Sequence, residues 1–286
     1  MNQPTQIAKA EAFRRLHDGS KLLVLPNAWD VASARLYEAA GFSAIATTSA
    51  GVAWTLGYPD GEEIRRETIL EAVQRITTRV SLPVTADMVA GFGPRPEDTA
   101  ETVRGVIAAG AVGLNLEDGT GDPDNPLVEV SLHVEKVRAA RAAAAAAGVP
   151  VVINARTDVF LAAVGTPDTR LDHAIRRANA YREAGADSLF VPGVQDSETI
   201  GHLARSIAGP LNILARAGTP PISELARLGV ARVSVGSGPM LAALGRLRRI
   251  AAELLGTGTF AAMTEEAISY AEMNNLLKAT LAPEKE

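Results

Sequence analysis

The feature that most constrains the fold is a repeated joint. An Ala-Gly or Leu-Gly pair closes an amphipathic stretch just before an apolar run at Ala40-Gly41, Ala109-Gly110, Ala147-Gly148, Ala184-Gly185 and Leu228-Gly229. Glycine just past a helix takes the left-handed conformation at little cost, so each joint predicts a helix end followed by a strand. Strands are expected at Leu22–Leu25, Ser43–Thr48, Pro83–Ala86, Val112–Leu116, Pro150–Ala155, Ser188–Val191, Leu211–Ala215 and Arg232–Val235. Apolar residues at three- and four-residue spacing predict helices at Val31–Ala40, Glu63–Arg79, Pro96–Ala109, Glu129–Ala147, Asp168–Ala184, Asp196–Ile207, Ile222–Leu228 and Pro239–Leu255. Alternation of this kind implies a parallel sheet, and eight units fit a closed (β/α)8 TIM-type barrel. An open doubly wound sheet is the alternative, but no G-x-G-x-x-G follows the first strand.

Two segments lie outside the repeat. A helix is expected before the first strand, at about Gln6–His17, and a tail follows the last unit at Phe260–Met263 and Glu265–Leu281. With no linker in sight, residues 1–286 are expected to form a single barrel domain. Residues 260–286 are expected to form an amphipathic helical tail suited to closing the barrel or packing on a neighbouring subunit.

Composition narrows the function. A net charge of −5, no basic run beyond Arg248-Arg249 and 4% aromatics argue against nucleic acid as a partner. The chain has no cysteine, which excludes disulfides, thiolate zinc sites and a cysteine nucleophile. His17, His133, His173 and His202 are not paired at metal-ligand spacing, and are expected at the surface or in the core. The N-terminal stretch lacks a signal-peptide core and no apolar run is long enough to cross a membrane, so a cytoplasmic location and no membrane partner are expected.

Three polar residues end three successive apolar runs: Asp87 after LPVTA, Glu117 after AVGLNL and Arg156 after VPVVINA. On parallel neighbouring strands they would share one rim, where barrels place their chemistry. Carboxylates can hold a divalent cation, and a guanidinium can hold an anionic substrate. Blander roles exist for each. Asp87 could cap a helix, Glu117-Asp118 could be a solvated loop pair, Arg156 and Asp158 could form a structural ion pair, and Asp60 could serve only its Pro-Asp-Gly turn. Trp29 and Trp54 suit rim packing.

Several ordered motifs resemble the isocitrate lyase / phosphoenolpyruvate mutase superfamily. The segment LPNAWDVASARLYEAAGFSAIATTSAGVAWTLGYPDGE resembles its opening, with ADMVAGFG, NLEDG and NARTD similar to D-x-[DE]-x-G-[YF]-G, [IL]-E-D and A-R-T-D. The similarity is strong over residues 22–158 and weaker through LNILARAGTP to VSVG. It implies an α-keto acid or enolate held on Mg²⁺ (or Mn²⁺) at the barrel mouth. Asp87 matches the metal-binding aspartate, while Asp60 and Glu117 match carboxylates holding metal-bound water. Arg156 matches the substrate-carboxylate arginine, and Thr48, Ser49 and Ala50 match the turn that grips substrate. Asn212 matches an asparagine of the lyase branch. A homodimer or a homotetramer with exchanged last helices is implied as well.

The departures shape the functional reading. The lyase K-K-C-G-H element is absent; Gly93-Pro94-Arg95-Pro96 and Gly119–Leu127 stand in the neighbouring loops. Val89 replaces an acidic residue, and Pro192-Gly193 replaces a glutamate after strand six. The expectation is an Mg²⁺-dependent lyase acting on a small α-keto or 2-hydroxy (di)carboxylate through a metal-bound enolate, as in oxaloacetate decarboxylation or methylisocitrate cleavage. The alternatives are a phosphonopyruvate-type mutase or hydrolase, with Asn125 or Arg95 meeting the phosphoryl group, and a non-catalytic carboxylate-binding barrel.

Overall fold

The computed structural model describes residues 3–278. Its strands are β1 (Leu23–Leu25), β2 (Asn27–Ala28), β3 (Ile45–Thr47), β4 (Val84–Asp87), β5 (Gly113–Glu117), β6 (Val152–Arg156), β7 (Ser188–Phe190), β8 (Leu211–Leu214) and β9 (Arg232–Ser234). All are parallel, in the order β1-β9-β8-β7-β6-β5-β4-β3-β2. Because β1 runs directly into β2, the ladder closes on itself as a TIM-type barrel. The helices are α1 (Gln3–Arg15), α2 (Val31–Ala39), α3 (Ser49–Thr55), α4 (Arg66–Thr77), α5 (Pro96–Ala108), α6 (Val130–Ala147), α7 (Pro167–Glu183), α8 (Ser197–Ser206), α9 (Ile222–Arg227), α10 (Gly238–Gly256), α11 (Ala261–Thr264) and α12 (Tyr270–Lys278).

The five glycine joints behave as their spacing implies. Gly41, Gly110, Gly148, Gly185 and Gly229 all have φ between 68° and 112°. Each turns the chain from a helix back into the next strand.

The first strand departs from expectation. It is split at Pro26, which has no N–H to give to a ladder. Leu23–Leu25 pair with β9, and Asn27–Ala28 pair with β3. The Asn27 side chain bridges the seam: its amide donates to the Thr47 carbonyl at 2.8 Å, and its Oδ1 accepts from the Val235 and Gly236 N–H groups, each at 2.9 Å.

A seven-residue helix, α3, follows β3 where only a turn was expected. It is too short to show a period. Thr48 caps it by accepting from the Gly51 N–H at 3.4 Å. Gly51 is required here, because a Cβ would lie 2.6 Å from Thr48 Cγ2 and 2.9 Å from Trp29 Cβ. In the tail, the predicted Glu265–Leu281 helix starts late: Glu266 has φ 55°, and the helix runs from Tyr270 to Lys278. Its predicted end at Leu281 lies outside the described residues.

Helix α1 seals the barrel floor. Fully buried Phe13 reaches Gly113, where a Cβ would come within 2.9 Å of its ring. Gln6 donates to the carbonyls of Ile107 and Ala111 at 2.8 and 3.0 Å. The floor is thus plugged, and the strand ends at the opposite rim remain open to solvent.

Candidate active site

The open rim brings together most of the residues singled out above. Asp87 is the last residue of β4 and pairs in register with Asn115. Glu117 and Arg156 end β5 and β6 and are register partners. Their side chains meet at 2.6 Å. Arg156 turns its other edge to Asp158, with Nε–Oδ1 2.6 Å and Nη2–Oδ2 2.9 Å. Of its five N–H groups, two remain for another ligand. Phe190 lies under the guanidinium, 5.6 Å from ring centroid to Cζ. Burial opposes the Arg156 charge, but Glu117 and Asp158 outweigh it and hold its pKa above the ordinary value.

Asp87 is nearly buried, with one oxygen held by the Ser49 backbone N–H at 3.1 Å and by its hydroxyl at 3.0 Å. The other accepts from Asn115 at 3.3 Å. Asp60 sits exposed on the lip near Ser49. The surrounding protein, then the Asp87 charge, raise the Asp60 pKa. Burial raises the Glu117 pKa, with the charges of Asp158, Asp87 and Asp60 adding to it, against the pull of Arg156. Four carboxylates therefore crowd one arginine at the rim.

The donor set fits Mg²⁺. Among the described residues, no three acidic or histidine side chains converge to cage an ion. Asp87 can supply one direct oxygen, leaving Asp60 and Glu117 to receive waters on the ion. Mg²⁺ keeps several waters and takes few protein ligands, so one direct carboxylate with others reached through water suits it. A cavity of about 660 Å³ opens beside the cluster, lined by residues including Asp60, Val89, Glu117, Lys136 and Asp158. It is large enough for a small organic acid.

Some expected residues are placed differently. Asn212 is fully buried in the barrel interior, with Oδ1 accepting from Ser234 at 3.4 Å and Nδ2 without a partner among the described residues. Arg95 is exposed and paired with Asp98 at 2.8 Å. Asn125 is exposed in the Gly119–Leu127 loop. The solvated-pair reading of Glu117-Asp118 is wrong, because Asp118 is fully buried. It accepts from Tyr181 at 2.6 Å, Arg177 at 3.0 Å and the Asp158 N–H at 2.9 Å, so α7 braces the residue that holds Arg156.

Gly193 explains the missing glutamate. Its φ is 97°, and a Cβ would lie 2.8 Å from the Leu161 nitrogen. The segment after β6 packs where a side chain would emerge.

Lys136 was missed in the sequence, where it is one cation on a helix. Nearly buried on α6, it donates to the carbonyls of Ala90 at 2.9 Å and Gly93 at 2.8 Å. It thereby pins a segment in which Val89, Gly91, Phe92 and Gly93 all have positive φ. Val89, β-branched at φ 49°, is a strained position of the kind that collects at functional sites.

A sequence model of the phosphoenolpyruvate phosphomutase family matches residues 13–255. The chain belongs to the phosphoenolpyruvate mutase / isocitrate lyase superfamily. Within it, 2-methylisocitrate lyase of Escherichia coli K12 is 33% identical over 240 residues, covering 81% of this chain and 78% of that one. A lyase/mutase-type structure from Burkholderia cenocepacia J2315 superposes with a TM-score of 0.90 at 40% identity, covering 98% of both chains. Phosphonopyruvate hydrolase in complex with oxalate and Mg²⁺ superposes with a TM-score of 0.83 at 28% identity, covering 95% of both chains. The relatives of this chain thus include both a lyase and a phosphonopyruvate hydrolase. No helix among the described residues is long and apolar enough to cross a membrane.

Proposed function

We propose that this protein is an Mg²⁺-dependent lyase that cleaves a carbon–carbon bond in a small α-keto or 2-hydroxy (di)carboxylate by way of an enolate. The observation that carries this reading is the meeting of Glu117 and Arg156 at 2.6 Å beside Asp87, with two guanidinium N–H groups still open.

Asp87 would hold the ion, with Asp60 and Glu117 accepting from its waters. When bound, the ion supplies Lewis acidity that favours negative charge on the keto oxygen. Arg156 orients the substrate carboxylate by paired, charge-assisted hydrogen bonds. Thr48, Ser49 and Ala50 would grip the substrate beside Asp87, which Ser49 already bonds through its N–H and hydroxyl at the start of α3. With oxaloacetate, the bond to the β-carboxylate breaks, its electron pair enters the enolate, CO₂ leaves neutral, and the carbon left behind takes a proton from solvent. No acid is needed on the leaving group, which fits a site where Gly193 replaces the family's glutamate.

The likeness to phosphonopyruvate hydrolase supports a second reading, cleavage of a P–C bond. The engagement of Arg95 by Asp98 and the exposure of Asn125 make it the weaker one. One assay separates the cases. Protein with Mg²⁺ is offered oxaloacetate, substituted malates and phosphonopyruvate, and keto acid and phosphate are measured. A pyruvate-type product, abolished in Arg156→Ala, supports the lyase. Phosphate release supports the second reading, and binding without turnover would make the barrel a carboxylate-binding protein.

A further inference from the structure

Arg232 opens β9 and is fully buried inside the barrel. Its Nε and Nη1 have no hydrogen-bond partner among the described residues. Its one hydrogen bond there is weak, Nη2 to Asn115 Oδ1 at 3.4 Å. Asn115 is itself polarised: Oδ1 accepts from Asn154 at 2.8 Å, and Nδ2 donates to Asp87 at 3.3 Å. The amide oxygen thus faces the cation and the amide nitrogen faces the anion. Burial pushes Arg232 down to about 9, opposed by the Asp87 charge, so it stays protonated at neutral pH. His17 offers no compensation, because burial and Arg232 hold it neutral, at about 4.

A guanidinium with no adjacent anion is costly in a barrel core, where a hydrocarbon side chain would otherwise serve. We propose that Arg232 is the built-in counter-charge of Asp87, coupled to it through the Asn115 amide, and that it keeps divalent-cation binding at the rim weak and reversible. It is a positioning residue, since it lies below the cavity and touches neither substrate nor ion. Coulomb repulsion through the core is weakly screened, so a buried cation one amide away from Asp87 would lower the affinity of that carboxylate for a divalent ion. The affinity part rests on the assignment of Asp87 as the metal carboxylate; the charge pairing does not.

The test has two arms. In metal-free protein with chelator, melting temperatures are compared for Asp87→Asn and Asp60→Asn. Removing one of several crowded carboxylates ordinarily stabilises, and Asp60→Asn is expected to do so. Asp87→Asn is expected to lower the melting temperature by about 3 °C or more, and Arg232→Met is expected to remove that loss. A rise for Asp87→Asn, or an equal loss in the Arg232→Met background, overturns the pairing. If Arg232→Met does not fold alone, its folding together with Asp87→Asn supports the pairing; if neither folds, the sign for Asp87→Asn decides. In the second arm, calorimetric titration with Mg²⁺ is expected to show affinity tightened at least about tenfold in Arg232→Met and kept near wild type in Arg232→Lys. Unchanged or weaker affinity in folded Arg232→Met overturns the second half of the proposal. Absence of Mg²⁺ binding in the wild type refutes the metal assignment, and the melting data then judge the pairing alone.

Discussion

Glu117 and Arg156 stand directly opposite each other on β5 and β6, with their charged groups 2.6 Å apart, while Asp158 holds the far edge of the same guanidinium. The arginine is therefore preorganised by two carboxylates before any ligand arrives. A substrate carboxylate must use the two N–H groups left over.

Arg156→Ala should remove activity and also destabilise the fold. Stripping one partner from a buried ion cluster leaves uncompensated charge and costs about 3–5 kcal/mol. Arg156→Lys should recover part of the stability but not the activity, because an ammonium cannot hold a fork on Asp158 and a substrate carboxylate together. Urea unfolding and kcat/KM measured on both variants check this; full activity in the lysine variant would refute the role.

Gly193→Glu, which restores the side chain the superfamily's lyases carry, should not build a lyase-type acid here. The positive φ and the 2.8 Å approach of the Leu161 nitrogen leave no room for a Cβ. The expected outcome is a loss of roughly 2–4 kcal/mol in stability with no gain in turnover. Gly193→Ala should show most of the loss, which assigns it to the backbone and not to the carboxylate.

Acid should weaken the protein through two buried histidines. Burial holds His17 and His133 at about 4, against 6.5 for a free side chain. Because the folded value is the lower one, the unfolded chain binds more protons in between. Stability is complete above pH 6.5 and is lost as pH falls toward 4, by roughly 3 kcal/mol for each histidine. His133→Phe, packing on Tyr181, should remove about half of that acid limb in denaturation measured at pH 7.5, 5.5 and 4.5.

The outer face of α10, with the tail that follows it, should bind a second copy of the chain. Leu241, Leu247 and Leu255 on α10 are 53%, 58% and 91% exposed, and Phe260 and Tyr270 continue the apolar face at 59% and 88%. Light scattering should give a homodimer or homotetramer of the 29.9 kDa chain, with Leu247→Glu plus Leu255→Glu shifting it toward monomer. A monomeric wild type at micromolar concentration would refute this.

The placement of Asp87, Glu117 and Arg156 was legible because strand ends and helix joints are local signals. A polar residue closing an apolar run marks a rim wherever that strand lies in a parallel barrel. The Thr48–Ala50 segment was legible as a turn but not as the start of a helix, since seven residues carry too little periodicity. Lys136 and Asp118 were not legible. The first looks like any helix cation, and the second like the polar neighbour of a functional residue. Each takes its role from a partner on another element: the carbonyls of Ala90 and Gly93 for one, Tyr181 and Arg177 for the other.

What the chain declares locally is the βα repeat, the glycine joints and the charged trio at the rim, because helix ends and strand ends are settled by short-range sterics and periodicity. The folded barrel settles the rest: the seam bridged by Asn27, the space denied to a side chain at Gly193, and the buried Arg232 linked to Asp87 through Asn115. These depend on atoms brought together from positions as far apart as Asn115 and Arg232, 117 residues distant in the chain, and no local pattern encodes such a meeting.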